Sequence, residues 1–348
     1  MKRKVLKIWV HSRRNAPLFQ TLVVVLGIFT VFQNCGRTVA PSPSPVLHTN
    51  TIPSPTDDLD PANESGGSDV EPALESQALK FPIERDSHGN PLFQPGRPFG
   101  LSVDANRNVA IASYQGPLVL CMNANGHCST LTQISRTPAG LSPARPSAIG
   151  VAILPDSRIA YVDHDARSLH LQVSAPSAKT IEWQVTSLEF SPYAIASNAN
   201  GTRLYITGEE GTGAVCQTGT SETKTACTLH KALSGFDVAV SPEGSVYVAN
   251  ATSLQVCTES VSNCRSHSFP DGRTMAVGIA SGSALFVSDY FGNRILKCSL
   301  ARNSLSCEDF LRGLNVPRVI RLDPKGNVYV TEYNSSRVLR FDPAGKPF

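Results

Sequence analysis

The feature that most restricts this chain is a repeat. Six short apolar segments recur along it: NVAIAS (108–113), RIAYVD (158–163), RLYITG (203–208), SVYVAN (245–250), ALFVSD (284–289) and NVYVTE (327–332). Their first apolar residues, Val109, Ile159, Leu204, Val246, Leu285 and Val328, lie 50, 45, 42, 39 and 43 residues apart. A turn rich in Gly, Asn, Asp or Pro precedes each segment, as in DANRN, NANGT and DPKGN, and these residue types supply the dihedrals of tight turns. Another apolar strand precedes each turn, as in PFGLSVD (98–104) and GFDVAVSP (235–242). A third strand follows each segment (GPLVLCM, NRILKCSL, SRVLRFD), and most repeats have room for a fourth. Four antiparallel strands per 40–45 residues, six times over, predict an all-β fold, a six-bladed β-propeller. The segments are apolar at consecutive positions, as at Val246, Tyr247 and Val248, which suits sheets buried on both faces. A pair of β-sandwiches is the alternative, and the regular period disfavours it.

Two segments, ALFVSDYFGNRILKC (284–298) and NVYVTEYNSSRVLRFD (327–342), share an aromatic-Val pair, an acid, and then Arg with two apolar residues. In these the repeat resembles the NHL family and its six-bladed relatives, over residues 97–348. The last repeat stops soon after its third strand. ALKFPIE (78–84), with Leu79, Phe81 and Ile83 alternating, is expected to close the ring as the outer strand of the last blade, where Pro82 is tolerated on a sheet edge.

Before the repeats lie two segments of other character. Residues 1–34 hold six Lys and Arg and no acid, followed by the 12-residue apolar run TLVVVLGIFTVF (21–32). That run is short for a membrane-spanning helix and fits the core of a signal peptide. Cys35 follows at once, and the arrangement resembles a bacterial lipoprotein signal, in which the cysteine carries the lipid and anchors the chain to the membrane. With Gly36 rather than Asp after it, the resemblance implies an outer-membrane lipoprotein of the cell envelope. The alternatives are an ordinary secreted protein with a lone thiol and an uncleaved anchor. Residues 35–77 are rich in Pro, Ser, Thr and acids and carry no aromatic. They predict a disordered, extended tether, leaving 78–348 as the propeller. The net charge is +3, but without the six N-terminal cations the remainder stands at −3. No basic patch argues for nucleic acid.

The other eight cysteines form four short-range pairs: Cys121/Cys128, Cys216/Cys227, Cys257/Cys264 and Cys298/Cys307. The first of each lies 11 to 13 residues beyond its repeat's first apolar residue. All four pairs therefore fall on the hairpin joining third and fourth strands. Six to ten residues between partners is too wide for zinc knuckles, so the pairs predict disulfides made in an oxidising compartment. Their expected role is to clip the outer edge of each blade.

Serine-hydrolase, zinc-protease, phosphate-loop and dinucleotide signatures are absent. One constellation stands out at the ends of the second strands, which read Ser113, Asp163, Gly208, Asn250, Asp289 and Glu332. Asp163, Asn250, Asp289 and Glu332 carry the oxygen ligands that calcium prefers. Resemblance to gluconolactonase-like propellers implies a divalent-metal-dependent lactonase or hydrolase using them. The competing reading is local ion pairs, Asp289 with Arg294, Glu332 with Arg337 and Asp163 with Arg167. DHDARSLH (163–170) offers two histidines and two acids, as a zinc site or a solvated loop. Tyr114, Tyr290 and Tyr333, next in sequence after three of the ring positions, line a ligand surface or pack between blades. The reading favoured by the sequence is a binding module with no cofactor, whose partner is a protein, peptide or envelope glycan held on one face.

Overall fold

The computed structural model describes residues 97–348, except 115, 117, 123–126, 132–146, 177–180, 209–210, 219–223, 270–275, 282–283 and 302–303. The signal segment, Cys35, the tether and the expected closing strand at 78–84 lie outside the described residues.

Six antiparallel sheets make up the fold. Blade one is β1 (Pro98–Val103), β2 (Val109–Ser113), β3 (Leu118–Met122) and β4 (His127–Thr130). Blade two is β5 (Ala148–Ile153), β6 (Ile159–Asp163), β7 (Ser168–Gln172) and β8 (Trp183–Ser187). Blade three is β9 (Pro192–Ser197), β10 (Arg203–Gly208), β11 (Gly213–Gln217) and β12 (Ala226–His230). Blade four is β13 (Asp237–Val240), β14 (Val246–Asn250), β15 (Ser253–Cys257) and β16 (Cys264–Ser268). Blade five is β17 (Ala276–Ser281), β18 (Leu285–Asp289), β19 (Arg294–Ala301) and β20 (Ser304–Arg312). Blade six is β21 (Pro317–Leu322), β22 (Val328–Glu332) and β23 (Arg337–Phe341). The first strand of each blade packs on the first strand of the next, and β21 packs on β1 to close the ring. This is the six-bladed propeller that the repeat predicts.

The core is divided among the blade interfaces. Six apolar clusters are buried, one between each pair of neighbouring blades, including the closing interface where Leu101, Val109 and Ile111 meet Val319, Tyr329 and Val338. Consecutive apolar residues in β2, β6, β18 and β22 are buried throughout, because one side of each strand faces the preceding blade and the other the following one.

All four predicted disulfides are formed: Cys121–Cys128, Cys216–Cys227, Cys257–Cys264 and Cys298–Cys307. Each joins directly opposed residues of the third and fourth strands of its blade. Each bond clips the outermost strand to the third, as expected, and the two sulfurs of a pair differ in setting. Cys121, Cys216, Cys257 and Cys298, on the third strands, are buried and belong to the cluster against the preceding blade. Cys128, Cys227, Cys264 and Cys307, on the outermost strands, are partly buried and pack against the same clusters from outside. Each bond therefore fastens the edge strand to the core rather than only to its neighbour. The two blades without cysteines fill the same register otherwise. Gln172 faces Trp183 in blade two. In blade six Phe341 bridges to Pro347, and the Phe348 N–H donates to the Arg340 carbonyl. The C-terminal residues thus begin pairing along the outer edge of β23.

Strand direction alternates, so each blade contributes the same loops to the same face. One face, here the entry face, carries the starts of the innermost strands and the second-to-third-strand hairpins. The opposite face carries the first-to-second and third-to-fourth hairpins. Turns on that opposite face repeat one device. Asp104 Oδ1 accepts from the N–H groups of Asn106 and Asn108, and Asp323 Oδ1 does so from Lys325 and Asn327. The residue three after each turn's start has positive φ: Arg107, Ser157, Gly201, Gly244 and Gly326.

Candidate functional site

The site grows from a bulge. In β1, β5, β9, β17 and β21 the pairing with the second strand slips by a residue or two near the strand's start. An extra residue in one strand of an antiparallel pair bends it and re-aims a side chain. At the slip, Phe99, Ile149, Tyr193 and Arg318 turn toward the ring axis, and Phe236 joins them from the residue before β13. Second-strand hydroxyls satisfy the backbone there: Thr207 accepts from Ala194 N–H and Thr331 from Val319 N–H, at 3.1 and 2.9 Å. The next position along is kept small, as at Gly100, Gly150, Ala194 and Gly278. A methyl group on Gly278 would stand 1.8 Å from the Arg318 carbonyl oxygen, and one on Gly100 2.5 Å from that of Ile149.

The axis is therefore plugged rather than open. Phe99, Ile149, Tyr193 and Phe236 form a buried cluster, and Tyr114, Tyr290 and Tyr333 pack around it from the second-to-third-strand hairpins. The free space among Phe99, Ile149, Tyr193, Phe236 and Arg318 is about 10 Å³, room for about one water. One member of the plug is a cation. The Arg318 guanidinium stacks 3.4 Å from the Phe99 ring centre and stands 5.7 and 5.9 Å from those of Tyr193 and Tyr333. It donates a hydrogen bond to Tyr193, and no ion pair joins it to a carboxylate among the described residues. Burial holds its pKa below the ordinary arginine value. Arg97 lies over the outer side of Tyr333, 4.7 Å from the ring centre, and donates to its hydroxyl at 2.8 Å.

Below the plug is a second cation with a different fate. Asp237, fully buried, accepts from Arg321 at 2.7 and 2.8 Å in a two-pronged pair. The same carboxylate accepts the N–H groups of Val238 and Ile279. This pair ties blade four to blade six through the intervening inner strand. A buried carboxylate requires such partners.

The acids at the ends of the second strands are on the entry face but are taken up locally. Asp289 accepts from Arg294 Nε at 2.8 Å and from Gly292 N–H at 3.2 Å. Glu332 accepts from Arg337 Nε and, at 2.7 Å, from Asn315 N–H. Asp163 accepts from Ala166 N–H at 2.9 Å, and desolvation, the largest effect on it, raises its pKa. Asn250 is exposed, Ser113 is buried, and Gly208 pairs across the β9 bulge. Among the described residues no group of three or more His, Cys, Asp or Glu is arranged to hold a metal. The two histidines of DHDARSLH are also separate. His164 Nδ1 pairs with Asp165 at 3.1 Å and its ring meets Tyr193 edge-on, whereas His170 stacks on Tyr161 and bonds Ser168. Burial lowers the His170 pKa to about 4.

Sequence reasoning singled out Tyr114, Tyr290 and Tyr333 but missed Arg318 and the Asp237–Arg321 pair. A signal existed. Aligned on the inner strands, PFG, AIG, PYA, GFD, AVG and PRV put one Arg in a column otherwise apolar, and one Asp in a column otherwise small or apolar.

No protein-family model and no curated protein sequence matches the chain. Solved structures do. Virginiamycin B lyase from Staphylococcus aureus superposes with a TM-score of 0.53 at 16% identity, over 72% of this chain and 83% of that one. A streptogramin B lyase does so with 0.54 at 15% identity, over 73% and 82%. The β-propeller domain of Cps50 (Swd1) from Myceliophteria thermophila gives 0.51 at 13% identity, over 70% and 81%. At these identities the likeness is one of fold, and one fold hosts many functions.

Proposed function

We propose that this chain is an NHL-like binding module of the bacterial cell envelope. It is anchored in the outer membrane by a lipid on Cys35 and held clear of it by the tether of residues 35–77. Its entry face receives a protein, peptide or envelope glycan. The observation that carries the reading is Arg318, a cation set among aromatic rings at the mouth of a plugged axis with no carboxylate paired to it among the described residues. A few polar groups placed among apolar and aromatic walls are the usual make-up of a ligand seat, and Arg and Tyr dominate binding energy where surfaces meet. The four disulfides support export, because such bonds persist in oxidising compartments.

The binding claim is tested with arrays of glycans and peptides, comparing Tyr333→Ala on the entry face with Met122→Ala, exposed at the end of β3. Selective loss in Tyr333→Ala supports the reading, and equal loss in both defeats it. The anchor is tested by fractionation: Cys35→Ser should release the protein from membranes, and retention in high salt would refute the lipid.

A further inference from the structure

We infer that the entry-face seat takes the carboxylate of an acidic saccharide, gripped by Arg318 while the sugar ring lies on the neighbouring aromatic side chains. This rests on the binding-module reading and names the ligand class for the same seat. Three observations carry it.

The first is how Arg318 is held. The guanidinium carbon lies over Phe99, 3.4 Å from the ring centre, and Tyr193 uses one of its N–H groups. The remaining donors form the planar fork that matches a carboxylate with two parallel hydrogen bonds. Of the acids described on the same face, Asp289 and Glu332 are bound by Arg294 and Arg337, and Asp163 accepts from the Ala166 N–H. Asp237 is bound by Arg321, and Asp165 by His164.

The second is the plug. The space among Phe99, Ile149, Tyr193, Phe236 and Arg318 holds about one water, so a ligand does not enter between these side chains. A ligand must sit on the mouth and present an end group to Arg318. A sugar acid does so, with a carboxylate projecting from a compact ring.

The third is Phe291. It is 65% exposed, the most exposed large apolar side chain among the described residues, and it stands edge-on to Tyr290 with ring centres 5.2 Å apart. The other exposed apolar residues are Met122, Val185, Leu229 and Phe348, all on outer strands or strand ends away from this mouth. Phe291 extends the aromatic surface outward from the cluster around Arg318. With Tyr290 edge-on beside it, it gives an apolar platform for a sugar face.

The test is calorimetry on the full-length protein with four probes: trigalacturonate, its methyl ester, a neutral galactose trisaccharide, and a tripeptide with a free C-terminal carboxylate. The expected result is binding of trigalacturonate, weakened about ten-fold or more by esterification. Arg318→Gln should weaken the acid about as much and erase the difference between acid and ester. Phe291→Ala should weaken acid and ester alike. The acid-against-ester comparison uses the unaltered protein, so it stands even where Arg318→Gln perturbs folding. Equal binding of acid and ester would overturn the inference and leave the seat. So would binding of the peptide but of no saccharide. Binding of no probe at all would remove both the inference and the reading beneath it.

Discussion

On the face opposite the entry side, the turn and disulfide devices close within their own hairpins, and the other described links reach only the adjacent blade, as where Asn198 Nδ2 donates to Glu259. Asp104 and Asp323 hold turns four residues long, and four disulfides join cysteines 7 to 11 positions apart. On the entry face and axis the important contacts cross the ring. Arg318 meets Phe99 from the first blade and Tyr193 from the third, and Arg321 meets Asp237 from 84 residues away. The described contacts of the first face stay within a hairpin or between adjacent blades. The second is assembled from several blades, and it contains a cation whose charge the described residues do not pair. Binding function collects where a rigid scaffold brings distant side chains together.

This contrast can be broken by mutation, starting at the axis. Arg321→Met leaves the Asp237 carboxylate buried without its cation and should cost about 3–5 kcal/mol by denaturant unfolding. Adding Asp237→Asn to it should recover part of that loss, and no recovery would mean that the pair is not the cause. The disulfides come next. Cys216→Ser with Cys227→Ser opens one clip and should cost roughly 2–3 kcal/mol, while leaving entry-face binding unchanged. A loss of binding beyond that expected from stability would mean that the faces are not independent.

A third expectation concerns pH. With its folded pKa lowered to about 4 from the ordinary 6.5, His170 is neutral in the folded chain where the unfolded chain is protonated. Its contribution is intact above pH 6.5 and is lost as pH falls toward 4. Because the ring is partly exposed, the loss should be about 2 kcal/mol rather than the full linkage value. His170→Phe should flatten that part of the pH–stability curve, and an unchanged slope would assign the acid sensitivity elsewhere. The smallest effect belongs to the turns. Arg107 holds φ at 63° where blades three, four and six have glycine. Arg107→Gly relieves left-handed strain and adds unfolded-state freedom, for a net gain of about 0.5 kcal/mol. A clear loss of stability would show that the Arg107 side chain does more than occupy a turn.

Much of this was legible before any coordinates. The repeat interval led to the blade count, because each blade is a contiguous piece of chain. The cysteine offsets led to the pairs Cys121–Cys128 through Cys298–Cys307, because partners in one hairpin are close in sequence and register. That the inner sulfur of each pair is also core was not legible, since it depends on which neighbouring blade covers it. Asp289 with Arg294 and Glu332 with Arg337 were likewise read as local pairs, five residues apart. Tyr290 and Tyr333 were noticed because they follow those acids directly. The oxygen-rich ring itself was assembled by column counting alone, and counting does not distinguish a carboxylate aimed at a common centre from one aimed at its own hairpin. The last blade's outer edge was assigned to 78–84 without its own C-terminal turn, in which Asp342 accepts from Ala344 and Lys346 and brings Pro347 back to Phe341.

What the sequence by itself determined is everything carried by short separations: period, turn chemistry, disulfide pairing and the apolar faces of each blade. Only the tertiary structure decided what stands on the axis. Phe99, Ile149, Tyr193, Phe236 and Arg318 come from five different blades, and they become neighbours only when β21 closes against β1. Phe99, Tyr193 and Arg318 then share one desolvated space, where a guanidinium's stacking on rings, with no carboxylate paired to it among the described residues, is a property of the closed ring and of no segment of it.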